Sequence, residues 1–169
     1  MATAFTGTQN ALIPVGHGQS GNVKAWWGKY TYATAAVIND TIAICKLPKN
    51  CLVLSGALYT DDIDTGTEAL EVDVGYTANG GASSTLVTYD GQTHTNLGTA
   101  SAVGFVDSGV LTGDVITDLM PAGMNYRPFQ MSTGPKFFSE ETQVSVKITA
   151  AAQAGGTGTI YVVMFGIVF

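Results

Sequence analysis

Three carboxylates fall within four residues at Asp61, Asp62 and Asp64, ahead of Gly66 and Glu68. Side-chain and carbonyl oxygens at that density could wrap a hard cation such as calcium. The same residues also spell a turn, in which Asp caps its own backbone and Gly supplies a positive φ, and this is the stronger reading. A second candidate is Gly16-His17-Gly18-Gln19-Ser20-Gly21, a literal G-x-G-x-x-G with Asp40 nineteen residues past its last glycine. A dinucleotide site needs a strand before that motif and a helix after it, because the helix N-terminus holds the pyrophosphate. Here aromatic, β-prone residues follow, so the motif reads as a loop and no cofactor is expected. The two histidines, His17 and His94, sit in Gly- or Thr-rich stretches. A Ser-His-Asp set drawn from His94, Asp90 and a nearby serine lacks anything to position it, and no catalytic residue is assigned. Cys45 and Cys51 with two distant histidines do not have the spacing of a structural zinc site. They flank a turn and could face one another across a hairpin, but two free, buried thiols are the default in a reducing compartment.

The elements that would carry these residues are strands. Residues 41–77 hold three apolar runs broken by turn signals at Leu47-Pro48-Lys49-Asn50 and at residues 61–66. In the third run Leu70, Val72, Val74 and Tyr76 alternate with Glu71, Asp73 and Gly75, a period of two that buries one face and wets the other. Residues 23–36 read as the first strand, with Trp26, Tyr30 and Tyr32 on one side and Trp27, Lys29 and Thr31 on the other. Gly56 in the strand at 51–60 suggests a bulge or the close approach of another chain. Short strands are expected at 84–88, 103–106, 126–131 and 136–138, with a long loop through Gly91 and His94 between the first two. Pro128 restricts its strand to an edge. Val115, Ile116, Leu119 and Met120 stand at helical spacing before Pro121, enough for a turn or two of helix. Val144, Val146 and Ile148 alternate with Gln143, Ser145 and Lys147. The final run, 159–169, is apolar on both faces, as in a strand that is central in a sandwich or pressed on a partner. Eight or so strands with almost no helix predict an all-β, two-sheet antiparallel sandwich of jelly-roll type over residues 23–169. Residues 1–22, rich in Gly, Thr, Gln and Asn, predict an extended arm that becomes ordered on a neighbouring subunit.

Charged residues make up 12 % of the 169 residues and hydrophobic residues 46 %. An ordinary soluble domain carries roughly 25 % charge, so burial against other subunits is the expected remedy. The net charge is −6, and between residues 50 and 126 there are ten acidic residues and no Lys or Arg. Such a surface repels phosphate backbones, which argues against nucleic acid as a partner. The longest apolar run, residues 160–169, is too short to span a bilayer as a helix. Met1 is followed by neither a basic n-region nor an apolar h-region, which predicts synthesis in a cytoplasm and no membrane partner.

Residues 40–56, DTIAICKLPKNCLVLSG, followed by Leu70-Glu71-Val72-Asp73-Val74-Gly75-Tyr76, resemble a pattern in the head decoration or cement proteins of tailed bacteriophages. There a strand ending in Leu-Pro-Lys leads into an apolar strand, a variable loop and a strand close to Leu-Asp-Val-Gly. Residues 142–149, TQVSVKIT, before a Gly-rich turn and a last apolar strand, are similar to the family's C-terminal part. The resemblance covers residues 35–77 and 140–169, and the chain departs from it at 91–105, which is longer and more polar. It implies a jelly-roll body, often a homotrimer, that binds the major capsid protein at the outside of the shell. Trp26, Trp27, Tyr30, Phe137, Phe138 and Phe169 are then the expected interface, with the arm contributing. The alternative from another class is a glycan-binding jelly roll of a phage tail, with Trp26, Trp27 or Tyr30 stacked on sugar rings.

Overall fold

The apolar runs at Cys51–Thr60 (β5) and Gly158–Val168 (β13) lie side by side at the centre of one sheet in the computed structural model of this chain. The structure describes residues 4–6, 8–10, 23–33, 37–61, 63, 69–81, 84–87, 91–107, 125–152 and 157–169. Lys24–Tyr32 (β3) pairs antiparallel with the far side of β13, and Thr8–Asn10 (β2) pairs with β3. Asn125–Pro128 (β10) and Lys136–Phe138 (β11) both pair with β5, so this second sheet runs β10-β5-β13-β3-β2 with β11 beside β5. Pro128 thus sits on an edge strand, as its missing N–H demands.

The first sheet is built from Thr41–Leu47 (β4), Glu71–Tyr76 (β6), Ser101–Val106 (β9) and Thr142–Ala150 (β12), with Ala4–Thr6 (β1) at one edge. Its order is β1-β4-β12-β6-β9. A separate hairpin pairs Thr85–Val87 (β7) with Thr93–Thr95 (β8). Leaving out β1 and β2 and this hairpin, the pairing is nested. β3 meets β13, β4 meets β12, β5 meets β10 and β11, and β6 meets β9. These pairings are those of one long hairpin folded over into two antiparallel sheets.

Period-two alternation sets the core between the sheets. Ile42, Val72, Val74, Val144, Val146 and Ile148 point in from the first sheet and meet Trp26, Val53, Leu58, Ile160, Val162 and Met164 from the second. At one end an aromatic cluster closes the core. Phe105 stacks on Phe129 at 4.6 Å, and Tyr76 meets Phe138 edge-on at 5.0 Å and Phe105 at 5.6 Å. β3 passes close to β4 at Gly28, where an added Cβ would run into the Ile44 carbonyl. Only a glycine leaves room there.

Several expectations need adjustment. Residues 4–6 and 8–10 of the expected arm are strands on their own body, β1 parallel to β4 and β2 antiparallel to β3. They close the side where β3 and β4 part onto opposite sheets. His94 is not in a long loop but in β8, opposite Leu86. Gly56 makes room for the chain's own Phe129 ring, not for another chain, and the bulge falls at Leu54, where Ser55 pairs with Phe165 and Val53 with Gly166. The helical spacing at 115–120, the motif at 16–21 and His17 lie outside the described residues.

Cys45 and Cys51 are free and buried, on strands of opposite sheets. Burial pushes both thiols up to about 12 from an ordinary 9.0. A folded-state pKa above the unfolded value means stability that is complete below about pH 9 and is lost as pH climbs towards 12. Each such group weakens the fold by about 1.4 kcal/mol per pH unit across that window. Denaturant titrations at pH 8 and pH 11 are therefore expected to differ by about 5 kcal/mol. Alanine at both positions flattens the alkaline limb; an unchanged slope would assign it to the buried tyrosines instead.

Candidate functional site

The two outer faces of the sandwich differ in chemistry. On the first sheet the outward row carries Thr41, Ala43 and Lys46 from β4, Gln143, Ser145 and Lys147 from β12, and Glu71 and Asp73 from β6. Lys147 stands between Thr41 and Asp73, and Lys46 reaches Glu141 at 2.8 Å. That face is polar and charged.

On the second sheet the outward row of β13 is Thr159, Tyr161, Val163, Phe165 and Ile167, since Ile160, Val162 and Met164 fill the inward positions. Register places Trp27 beside Val163, and Tyr161 between Lys29 and Tyr59. Phe165, 43 % exposed, lies between Ala25 and Ser55. Lys29 is the one formal charge among the outward residues of β3, β5 and β13. No third layer of described strands covers this row. At ~3.3 Å per residue and ~4.8 Å between strands, the three long strands and the short ones beside them present roughly 600 Å². One partner's share of a stable interface is of that order, near 800 Å².

The expected interface residues divide accordingly. Trp26 is 5 % exposed and belongs to the core, and Phe138 is fully buried in the aromatic cluster. Phe137 is buried where Asn96 bridges to it. Tyr30 is half-buried on the inward row, edge-on to Tyr32 at 4.9 Å. Trp27, half-buried, and Phe169, 48 % exposed, keep outward surface. Tyr161, Val163, Phe165 and Ile167 share this outer face with Tyr59 of β5 and were not singled out from the sequence. The one signal for the four on β13 was the two-sided apolar character of that strand.

Of the acidic turn, Asp62 and Asp64 lie outside the described residues. The Asp61 carboxylate accepts a hydrogen bond from Thr159 N at 2.9 Å, while Asp61 N donates to Thr159 O. Asp61 thus starts β13, and Ile63 beside it is buried in the core. Asp40 is buried, with its Oδ2 accepting from Val37 N at 3.2 Å, a turn contact rather than a ribose ligand. Among the described residues no three His, Cys, Asp or Glu side chains gather as metal ligands.

No protein-family model and no curated protein matches the chain. Solved structures do. A chain of the capsid asymmetric unit of cyanophage Pam1 aligns with TM-score 0.61 and 20 % identity, covering 95 % of this chain and 94 % of that one. A chain of the capsid of Ralstonia phage GP4 aligns with TM-score 0.61 and 19 % identity, covering 99 % of both. This chain therefore has the fold of chains found in bacteriophage capsids, over its whole length.

Proposed function

We propose that this chain is a structural protein of a bacteriophage virion that decorates and cements the head. It binds the outside of the shell and bridges the joints between major capsid proteins, as a homotrimer. It is made in the host bacterial cytoplasm and ends on the capsid surface. The observation that carries this reading is the contrast between the two outer faces, one polar and one aromatic, aliphatic and nearly uncharged. A patch of that size and composition is an interface in search of a partner. Fold likeness to chains of two phage capsids over their full length makes the shell the natural partner, and the resemblance at residues 40–56 and 70–76 agrees.

Cementing needs contact area, not chemistry. Threefold repetition then multiplies attachment through effective concentration, since one seated subunit holds the other two close to their sites. The role is non-enzymatic. The glycan-reading alternative asked for tryptophans open in a groove; Trp26 is sealed in the core, and Trp27 lies half-buried on a sheet face.

Mixing purified protein with expanded capsids that lack it, and imaging the particles by electron microscopy, tests the reading. Density over the joints between major capsid proteins, with the second sheet turned towards the shell, is the expected result. Bare capsids at micromolar protein, or density on the tail alone, would reject it.

A further inference from the structure

Outside the aromatic face, the described residues form a small cleft of about 190 Å³ between β8 and the approach to β11. It is lined by Thr93, His94 and Thr95 on one side and by Thr133, Pro135 and Lys136 on the other, with Leu97 and Phe137 also bordering it. The sequence departs from the family pattern in this same region, at residues 91–105.

The walls are held in place. Asn96 N donates to Ser84 O at 2.8 Å, and Leu97 N donates to Phe137 O at 2.9 Å, tying the hairpin to β11. The buried Asn96 Oδ1 accepts from Ser139 N at 2.8 Å. Asn79 Nδ2 donates to Thr142 Oγ1 at 3.0 Å, anchoring the same corner to β12. On the other side Gly134, at φ +82°, completes a tight turn with its N–H on Met131 O. Pro135 follows and stiffens the rim. A cleft pinned this way keeps its shape before any ligand arrives.

Its cation differs in setting from the two lysines of the ion pairs. Lys46 and Lys49 are exposed and sit on Glu141 and Glu140. Lys136 is half-buried, and no carboxylate of the described residues pairs with it. Burial lowers its pKa. A partly desolvated ammonium without a counter-charge is costly unless something negative visits it. Around it stand three threonine hydroxyls and one imidazole, which can each donate or accept, and the ring of Pro135.

We infer that the cleft between β8 and β11 is a binding site for one acidic sugar unit, its carboxylate or phosphate on Lys136 and its hydroxyls on the polar rim that residues 93–95 and Thr133 supply. A volume near 190 Å³ admits a single pyranose ring and little more. The site is separate from the outer face of the second sheet, so it stands or falls independently of attachment to a shell. Its ligand is an acidic monosaccharide unit; a surface polysaccharide as its source rests on the virion location proposed above.

Heteronuclear NMR of the intact protein, titrated with glucuronate, glucose 6-phosphate, glucose and inorganic phosphate, tests this. Glucuronate or glucose 6-phosphate should shift the amides of residues 93–97 and 133–137 with a dissociation constant in the millimolar range. Glucose should bind at least tenfold more weakly. Lys136→Met should abolish the shifts while melting at the wild-type temperature, and His94→Gln should weaken them several-fold. Shifts by inorganic phosphate equal to those by the acidic sugars would overturn the sugar assignment and leave only a generic anion site. No shift at these amides with any of the four, or an unaltered titration in Lys136→Met, would overturn the site itself.

Discussion

A protein with Val163→Asp and Phe165→Asp together is expected to fold normally and to leave capsids bare. Both side chains point outward from β13, and Phe165 is 43 % exposed, so the core between the sheets is untouched. The free protein should melt within a few degrees of wild type, because outward substitutions away from special features usually cost less than about 0.5 kcal/mol each. Attachment is another matter. A carboxylate buried at an apolar interface without a partner costs several kcal/mol, and central apolar anchors carry most of an interface's energy. Two such changes on the proposed docking face should lower occupancy by more than about a hundredfold at a fixed concentration. Lys147→Glu on the opposite face serves as the control and should leave occupancy unchanged. Equal loss from both variants would mean that the polar face is the one that docks.

The second large effect is on stability. Phe105→Ala removes a fully buried ring that lies 4.6 Å from Phe129, 5.6 Å from Tyr76 and 6.1 Å from Phe138. Truncating a core phenylalanine costs about 3–5 kcal/mol, and the upper end applies where rigid neighbours cannot collapse into the space. The neighbours here are themselves rings on β6, β11 and the segment after β10. Chemical denaturation should show a fall of about 4 kcal/mol with an unchanged m-value. A loss under about 1 kcal/mol would mean that the cluster contributes little to holding β9 on the sheet.

Much of this architecture was legible because strands declare themselves by period. The bounds of β4 and β5 follow directly from turn residues at 48–50, where Asn50 adopts φ +55° and closes the link between sheets. The alternation in 142–149 assigned the correct faces, whereas in 70–76 Asp73 and Gly75 are buried along with the apolar row. Trp26 and Phe138 were misplaced because an aromatic residue looks the same from sequence whether it seals a core or an interface; only the partner strand's register distinguishes them. Phe165 and Val163 were hidden for the same reason, inside a run apolar on both faces. The cleft at Lys136 left no local signature, since its walls come from segments some forty residues apart and meet only through Asn96 and Leu97.

The nested pairing carries a consequence for how the molecule comes into being. β3, the first strand of the sandwich proper, takes β13, the last, as its antiparallel neighbour, and β4 takes β12. Contacts this distant along the chain form late, because closing so long a loop must precede any reward from the pairing. While the ribosome is still at work, β3 and β5 have no central strand between them. A nascent chain stalled at residue 157 should therefore remain protease-sensitive, and become resistant only when β13 has emerged; resistance before that point would contradict the late closure. Closure of the second sheet is thus a single event that waits on β13, the strand that joins β3 to β5.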